Sequence, residues 1–253
     1  MIIANHCRVH ATPSQSDLAL NERELHLWRA ELDLTDEDLA PLIRVLSPDE
    51  LDRAAQFHFT RDRRRFMAGR GLLRSIIAGY LHRPAHEISF DYGVRGKPAL
   101  TTADLQFNLA HSGGLAIIGL TRSGRLGVDV ERIRPLGDMM QLVNSFFSPR
   151  ERQEIATLPA EDQQLGFFTC WTRKEAYLKA MGDGLASPLD QFDMPVVPSE
   201  PPRLLHVDVA TNEAASWSLW DAPLEVGYVG TVAFAGQIDI LRHGVWHRHN
   251  PGQ

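Results

Sequence analysis

Ser47-Pro48-Asp49-Glu50 and Ser148-Pro149-Arg150-Glu151 repeat one local pattern in the two halves of a 253-residue chain. In each copy a serine can cap a helix, proline suits the first helical position, and an acid follows in the first turn. A helix is therefore expected from Ser47 to about Phe57. Beyond it a longer helix is predicted over Thr60 to Leu81, with Phe66, Leu73, Ile77 and Leu81 spaced for one buried stripe. A second long helix follows Ser148 as well, so Leu73-Arg74-Ser75 in one half answers Leu178-Lys179-Ala180 in the other. One S-P-x-E match is weak evidence, but the matching order of elements reads as an internal duplication. The expected fold is α+β, with two similar lobes at 1–122 and 123–253 facing each other across a cleft.

Short strands and turns fill the rest. An early strand is expected within 17–33, then strands at Ile88 to Phe90, Phe107 to Leu109, Ala116 to Leu120 and Gly127 to Glu131. Pro195 to Pro202 reads as a loop, because strand patterns resume at Leu204 to Val209, Trp217 to Trp220 and Gly227 to Phe234. The tail from His243, with His247 and His249, reads as a frayed terminus.

Composition excludes several classes. A hydrophobic content of 43% can build a substantial core. Leu115 to Leu120, the longest aliphatic stretch, is too short to span a bilayer, and residues 1–10 lack a signal peptide's layout, so a soluble, cytoplasmic protein is expected. Cys7 and Cys170 cannot build a disulfide framework or a zinc site alone, and Cys170 reads as a small buried hydrophobe. A formal charge of -6 argues against a general nucleic-acid binder. Against that background Arg61, Arg63, Arg64, Arg65, Arg70 and Arg74 form either a solvated helix face or a surface for phosphates or an acidic partner.

The chemistry concentrates further on. In Val128-Asp129-Val130-Glu131 strand alternation sends both carboxylates to one face. A hard cation such as Mg²⁺ would relieve their repulsion; a solvated edge strand explains the same pattern. In Trp171-Thr172-Arg173-Lys174-Glu175-Ala176-Tyr177-Leu178-Lys179, positions 171, 175 and 179 share a helix face. Trp171 marks that stripe as partly buried, where unpaired charge is costly, so Glu175 suits a metal site and Lys174 and Lys179 suit phosphate oxygens. The turn Gly96-Lys97-Pro98 presents Lys97 with little freedom, and His111-Ser112 end a strand beside Gly113-Gly114, where backbone N–H groups can approach a ligand. Neither a G-x-G-x-x-G nor a P-loop pattern occurs.

Taken in order, Gly96-Lys97-Pro98, Phe107-Asn108-Leu109-Ala110-His111-Ser112, Gly127 to Glu131, Phe147 to Glu151 and Trp171 to Ala176 with Lys179 resemble the motifs of 4'-phosphopantetheinyl transferases of the surfactin-synthetase-activating (Sfp) type. The resemblance spans roughly residues 47 to 193. It implies a pseudo-twofold monomer with coenzyme A in the cleft, moving phosphopantetheine onto a serine of an acyl, peptidyl or aryl carrier protein and releasing adenosine 3',5'-bisphosphate. Carried over by motif, Asp129, Glu131 and Glu175 would hold Mg²⁺, and Glu175 would be the base. Lys179, with Lys174 beside it, would meet the departing phosphate, and His111 would bond a phosphate. Lys97, Ser112 and Arg53 would contact the nucleotide end. Glu50 stands where some relatives carry a lysine, leaving Arg53 or Arg95 as substitutes. Acidic carrier surfaces would give Arg63, Arg64 or Arg65 a docking role. A Mg²⁺-dependent phosphohydrolase, or a binding module that has lost catalysis, are the competing readings.

Overall fold

A computed structural model describes residues 8–10, 18–93, 96–101, 105–182, 188–207 and 217–246. The chain divides into two compact units, one of residues up to 122 together with those from 239 on, the other of 123–238.

The first unit begins with β1 (Arg8–His10) and β2 (Glu24–Glu31), followed by α1 (Asp36–Ile43), α2 (Pro48–Ala55) and α3 (Thr60–Leu81). A small ribbon, β3 (Phe90–Tyr92) with β4 (Pro98–Leu100), precedes the hairpin β5 (Gln106–Ser112) and β6 (Leu115–Thr121). Gly113 and Gly114 make its two-residue turn, and Gly113 takes φ +57, a conformation that favours glycine. On the sheet, Trp28, Phe107, Ile118 and Leu120 pack with Leu73, Ile76, Ile77 and Tyr80 of α3. The expected stripe holds at Leu73 and Ile77, while Phe66 and Leu81 are half-buried.

The second unit repeats this order. β7 (Leu126–Arg132) leads into α4 (Met139–Phe146), α5 (Pro149–Thr157) and α6 (Ala160–Met181). Another ribbon, β8 (Phe192–Asp193) with β9 (His206–Val207), precedes β10 (Trp217–Asp221) and β11 (Tyr228–Ala235). Its sheet runs β10-β11-β7, all antiparallel, matching β5-β6-β2 in the first unit. Cys170 is buried in the core with Phe147, Ile155 and Tyr177.

Each unit also pins its long helix in the same way. Glu50 accepts from the Ser47 N–H at 3.1 Å, from Arg70 Nε at 2.6 Å and from Arg74 Nε at 2.6 Å. Glu151 accepts from the Ser148 N–H at 2.9 Å and the Met194 N–H at 2.8 Å, and lies 2.8 Å from Lys174 Nζ. Arg74 and Lys174 hold the same place in two 22-residue helices. Both carboxylates are buried, and such charges persist inside a fold only when paired and hydrogen-bonded.

The C-terminal segment departs from expectation. Residues 240–245 form β12 (Ile240–Val245), which lies parallel between β1 and β2 in the first unit's sheet, so the second lobe does not run to 253. β2 pairs along the whole length of β12 and β1 along Ile240 to Arg242, and Arg242 Nε bonds the buried Glu24. His243 therefore belongs to a strand and not to a frayed end, while His247 and His249 lie outside the described residues.

Candidate active site

Alternate residues of β7 take opposite faces, so Gly127, Asp129 and Glu131 share the one turned to α6. Asp129 is buried, and its Oδ1 accepts from Lys179 Nζ at 2.6 Å. Glu175 lies one turn before Lys179 on the same face of α6, half-buried. Burial pushes the Asp129 carboxyl up to about 7 against the pull of Lys179, and the charges of Glu175 and Glu131 add to the rise. Burial likewise lifts Glu175 above the usual carboxylate range, opposed by Lys179 and reinforced by Glu131. The four residues thus form one electrostatic cluster within the second unit.

Whether these acids suit a metal turns on their oxygens. Asp129 Oδ2 and Glu175 Oε1 are buried and make no hydrogen bond. Desolvated carboxylate oxygens without donors are what a hard divalent cation takes, so the donor chemistry fits Mg²⁺. Their present spacing does not enclose an ion: among the described residues no three His, Cys, Asp or Glu side chains are grouped for one. Lys179 holds Asp129, and Glu131 Oε2 lies 3.2 Å from Arg134 Nη1.

Lys174 departs from its expected part. Its side chain is fully buried, donating to Leu189 O at 2.7 Å and Phe192 O at 2.5 Å and pairing with Glu151. Three acceptors exhaust an ammonium's three donors, so Lys174 does not serve a phosphate. Arg173 is buried too, bonding Asp221 Oδ2 at 2.6 Å, Pro195 O at 2.8 Å and Glu200 O at 2.8 Å. In this motif, then, only Glu175 and Lys179 belong to the acidic cluster.

The first unit places its candidates separately. His111 is exposed and Ser112 half-buried at the end of β5, beside the glycine turn. Lys97 is half-buried just before β4. Arg53 is exposed on α2 with its guanidinium 5.7 Å from the Phe66 ring centre. Glu50, locked to Arg70 and Arg74, is not a ligand contact, and Arg95 lies outside the described residues. The arginine run divides by neighbour: Arg65 forks onto Asp33 at 2.7 and 2.6 Å, Arg64 reaches Asp36 at 2.5 Å, and Arg63 is exposed.

The raised Asp129 gives a signed prediction. Its folded pKa lies above the ordinary value, so the ionised form costs stability above about pH 7, and the cost fades as the folded state takes up a proton on acidification. Asp129→Asn is expected to make the metal-free protein more stable at pH 8, by on the order of 1–3 kcal/mol, with the gain shrinking toward pH 5. Urea unfolding of both proteins at the two pH values measures it. A variant that loses stability equally at both would contradict this account.

Comparison with known proteins shows the family. A family model described as the 4'-phosphopantetheinyl transferase superfamily matches residues 125–233, and one described as 4'-phosphopantetheinyl transferase, N-terminal, matches 30–122. The chain is 42% identical to 4'-phosphopantetheinyl transferase HetI of Nostoc sp. over 228 residues, which cover 88% of this chain and 93% of that protein. It is 31% identical over 221 residues to the L-aminoadipate-semialdehyde dehydrogenase-phosphopantetheinyl transferase of Xenopus laevis, covering 79% and 71% of the two chains. To 4'-phosphopantetheinyl transferase Sfp of Bacillus subtilis it is 28% identical over 162 residues, covering 64% and 71%. No helix among the described residues is long and apolar enough to cross a membrane. With one model falling on each half and a relative alike over nearly the whole of both chains, this chain belongs to the 4'-phosphopantetheinyl transferase superfamily.

Proposed function

We propose that this phosphopantetheinyl transferase performs its chemistry at the Asp129, Glu131, Glu175 and Lys179 cluster, with coenzyme A as donor and a carrier-protein serine as acceptor. The observation that carries the reading is the pair of buried, unpartnered oxygens, Asp129 Oδ2 and Glu175 Oε1, set beside a lysine. Asp129, Glu131 and Glu175 would hold Mg²⁺, which when bound supplies charge neutralisation at the pyrophosphate. Glu175 takes the proton of the attacking serine hydroxyl, and its burial raises its basicity in the metal-free protein. Lys179 stabilises charge on the departing adenosine 3',5'-bisphosphate. His111 bonds a phosphate, and Lys97, Ser112 and Arg53 contact the nucleotide end.

The shared element order of the two units supports the duplicated lobes of this reading. An Sfp-like acceptor range, covering acyl, peptidyl and aryl carrier proteins, and a cytoplasmic monomer complete the proposal. Intact-protein mass spectrometry tests it: the chain is incubated with coenzyme A, Mg²⁺ and either an apo acyl carrier protein or an apo peptidyl carrier domain, with an EDTA control. A gain of one phosphopantetheine mass that EDTA abolishes is expected. Cleavage of coenzyme A without labelling would favour a hydrolase instead, and an EDTA-insensitive gain would remove the metal.

A further inference from the structure

Gly127 stands in the strand that carries the acids, and its own conformation does not demand glycine: it is absent from the positive-φ positions of the described chain. What demands glycine is space. A Cβ at residue 127 would lie 2.0 Å from Ala176 O, 2.4 Å from Ala180 N and 3.0 Å from Lys179 C. All three are backbone atoms of α6, so no rotamer change could relieve the clash; strand or helix would have to move. The atoms belong to the turn running from Ala176 to Ala180, which carries Lys179 and directly follows Glu175, and Asp129 follows two residues along the same strand face. Its Oδ1 meets Lys179 Nζ at 2.6 Å.

Aspartate carries its carboxylate one methylene from the backbone, so a displaced strand carries the Asp129 carboxylate with it; Lys179, on a four-carbon stem, can partly follow, but the place of the acid against α6 is set by the backbone spacing. We propose that Gly127 is a positioning residue: its missing side chain sets the strand-to-helix spacing at which Asp129, Glu175 and Lys179 act together. The inference rests on the proposed role of that cluster, but the spacing itself is a property of the metal-free protein. Misplacement of reacting groups by about 1 Å can cost about 100-fold in rate.

The test uses the whole chain carrying Gly127→Ala, with Gly166→Ala, on α6, as a control. A Cβ at Gly166 meets only side chains beyond its helix at close range, Leu158 Cδ1 at 2.6 Å and Val196 Cγ1 at 3.2 Å. Both variants are expected to lower the unfolding midpoint, but only Gly127→Ala to lower kcat, by about 100-fold, with KM for the carrier little changed. In metal-free protein, Asp129→Asn and Lys179→Met are expected to be more strongly coupled in their effects on the unfolding midpoint when Gly127 is present than when it is alanine. A folded Gly127→Ala protein that keeps wild-type kcat or that coupling would overturn the proposal. If the wild type transfers nothing, the catalytic reading has failed and the coupling alone decides the spacing. If Gly127→Ala does not fold, Asp129→Glu in the wild-type background decides: close spacing predicts a loss of about 10-fold or more from one added methylene, and undiminished transfer would sink it.

Discussion

Glu175→Gln is expected to slow phosphopantetheine transfer about 10²–10⁴-fold, the range ascribed to a positioned general base. Glutamine keeps the size and one oxygen of the side chain but cannot accept a proton, and it weakens any bond to a divalent cation. The fold should survive, because Glu175 is half-buried and makes no contact comparable with the Glu151–Lys174 pair. Coenzyme A binding, measured by calorimetry, should therefore change far less than turnover. The rising limb of the wild-type pH–rate profile should vanish in the variant; burial raises the Glu175 pKa in the metal-free protein, and a bound cation opposes that rise. Single-turnover transfer followed by mass spectrometry at several pH values separates these effects. Unchanged turnover would remove Glu175 as the base.

Much of this arrangement was legible in the chain. The repeated S-P-x-E pattern located both α2 and α5, because proline and a capping serine act locally. The spacing of Glu175 and Lys179 placed them on one face, since a helix fixes that by geometry alone. Partners distant in sequence were harder to read. Lys174 looks like Lys179 in composition, yet one enters the core and the other meets Asp129, a difference set by where α6 meets the segment at 189–194. Nothing local distinguishes them. The one available signal was the duplication itself: Glu50 and Glu151 occupy equivalent capping positions, and Arg74 and Lys174 equivalent helical ones. The pattern that started the helices also held the acids that anchor their neighbours. The strand at 240–245 escaped for the same reason, as its partners, β1 and β2, lie more than two hundred residues upstream.

Lys174→Met is expected to destabilise the protein by about 3–5 kcal/mol, the cost of removing one partner from a buried ion pair. The variant leaves the Glu151 carboxylate in the core with two backbone N–H donors and no cation, and strips Leu189 O and Phe192 O of their donor. Pairing Lys174→Met with Glu151→Gln removes the stranded charge, so the double variant should recover a substantial part of the loss, and urea unfolding of the four proteins gives the coupling directly. The same experiment separates anchoring from phosphate binding. An anchor predicts that, at a temperature where the variant is folded, KM for coenzyme A is close to wild type. A phosphate ligand predicts the reverse, little change in unfolding and a marked rise in KM. The first unit offers an internal control: Arg74→Met should likewise strand Glu50, though Arg70 remains bonded to that carboxylate and should soften the penalty. If Lys174→Met unfolds like wild type, the buried pair is not what holds α6 in place, and the equivalence drawn between the two units loses its energetic meaning.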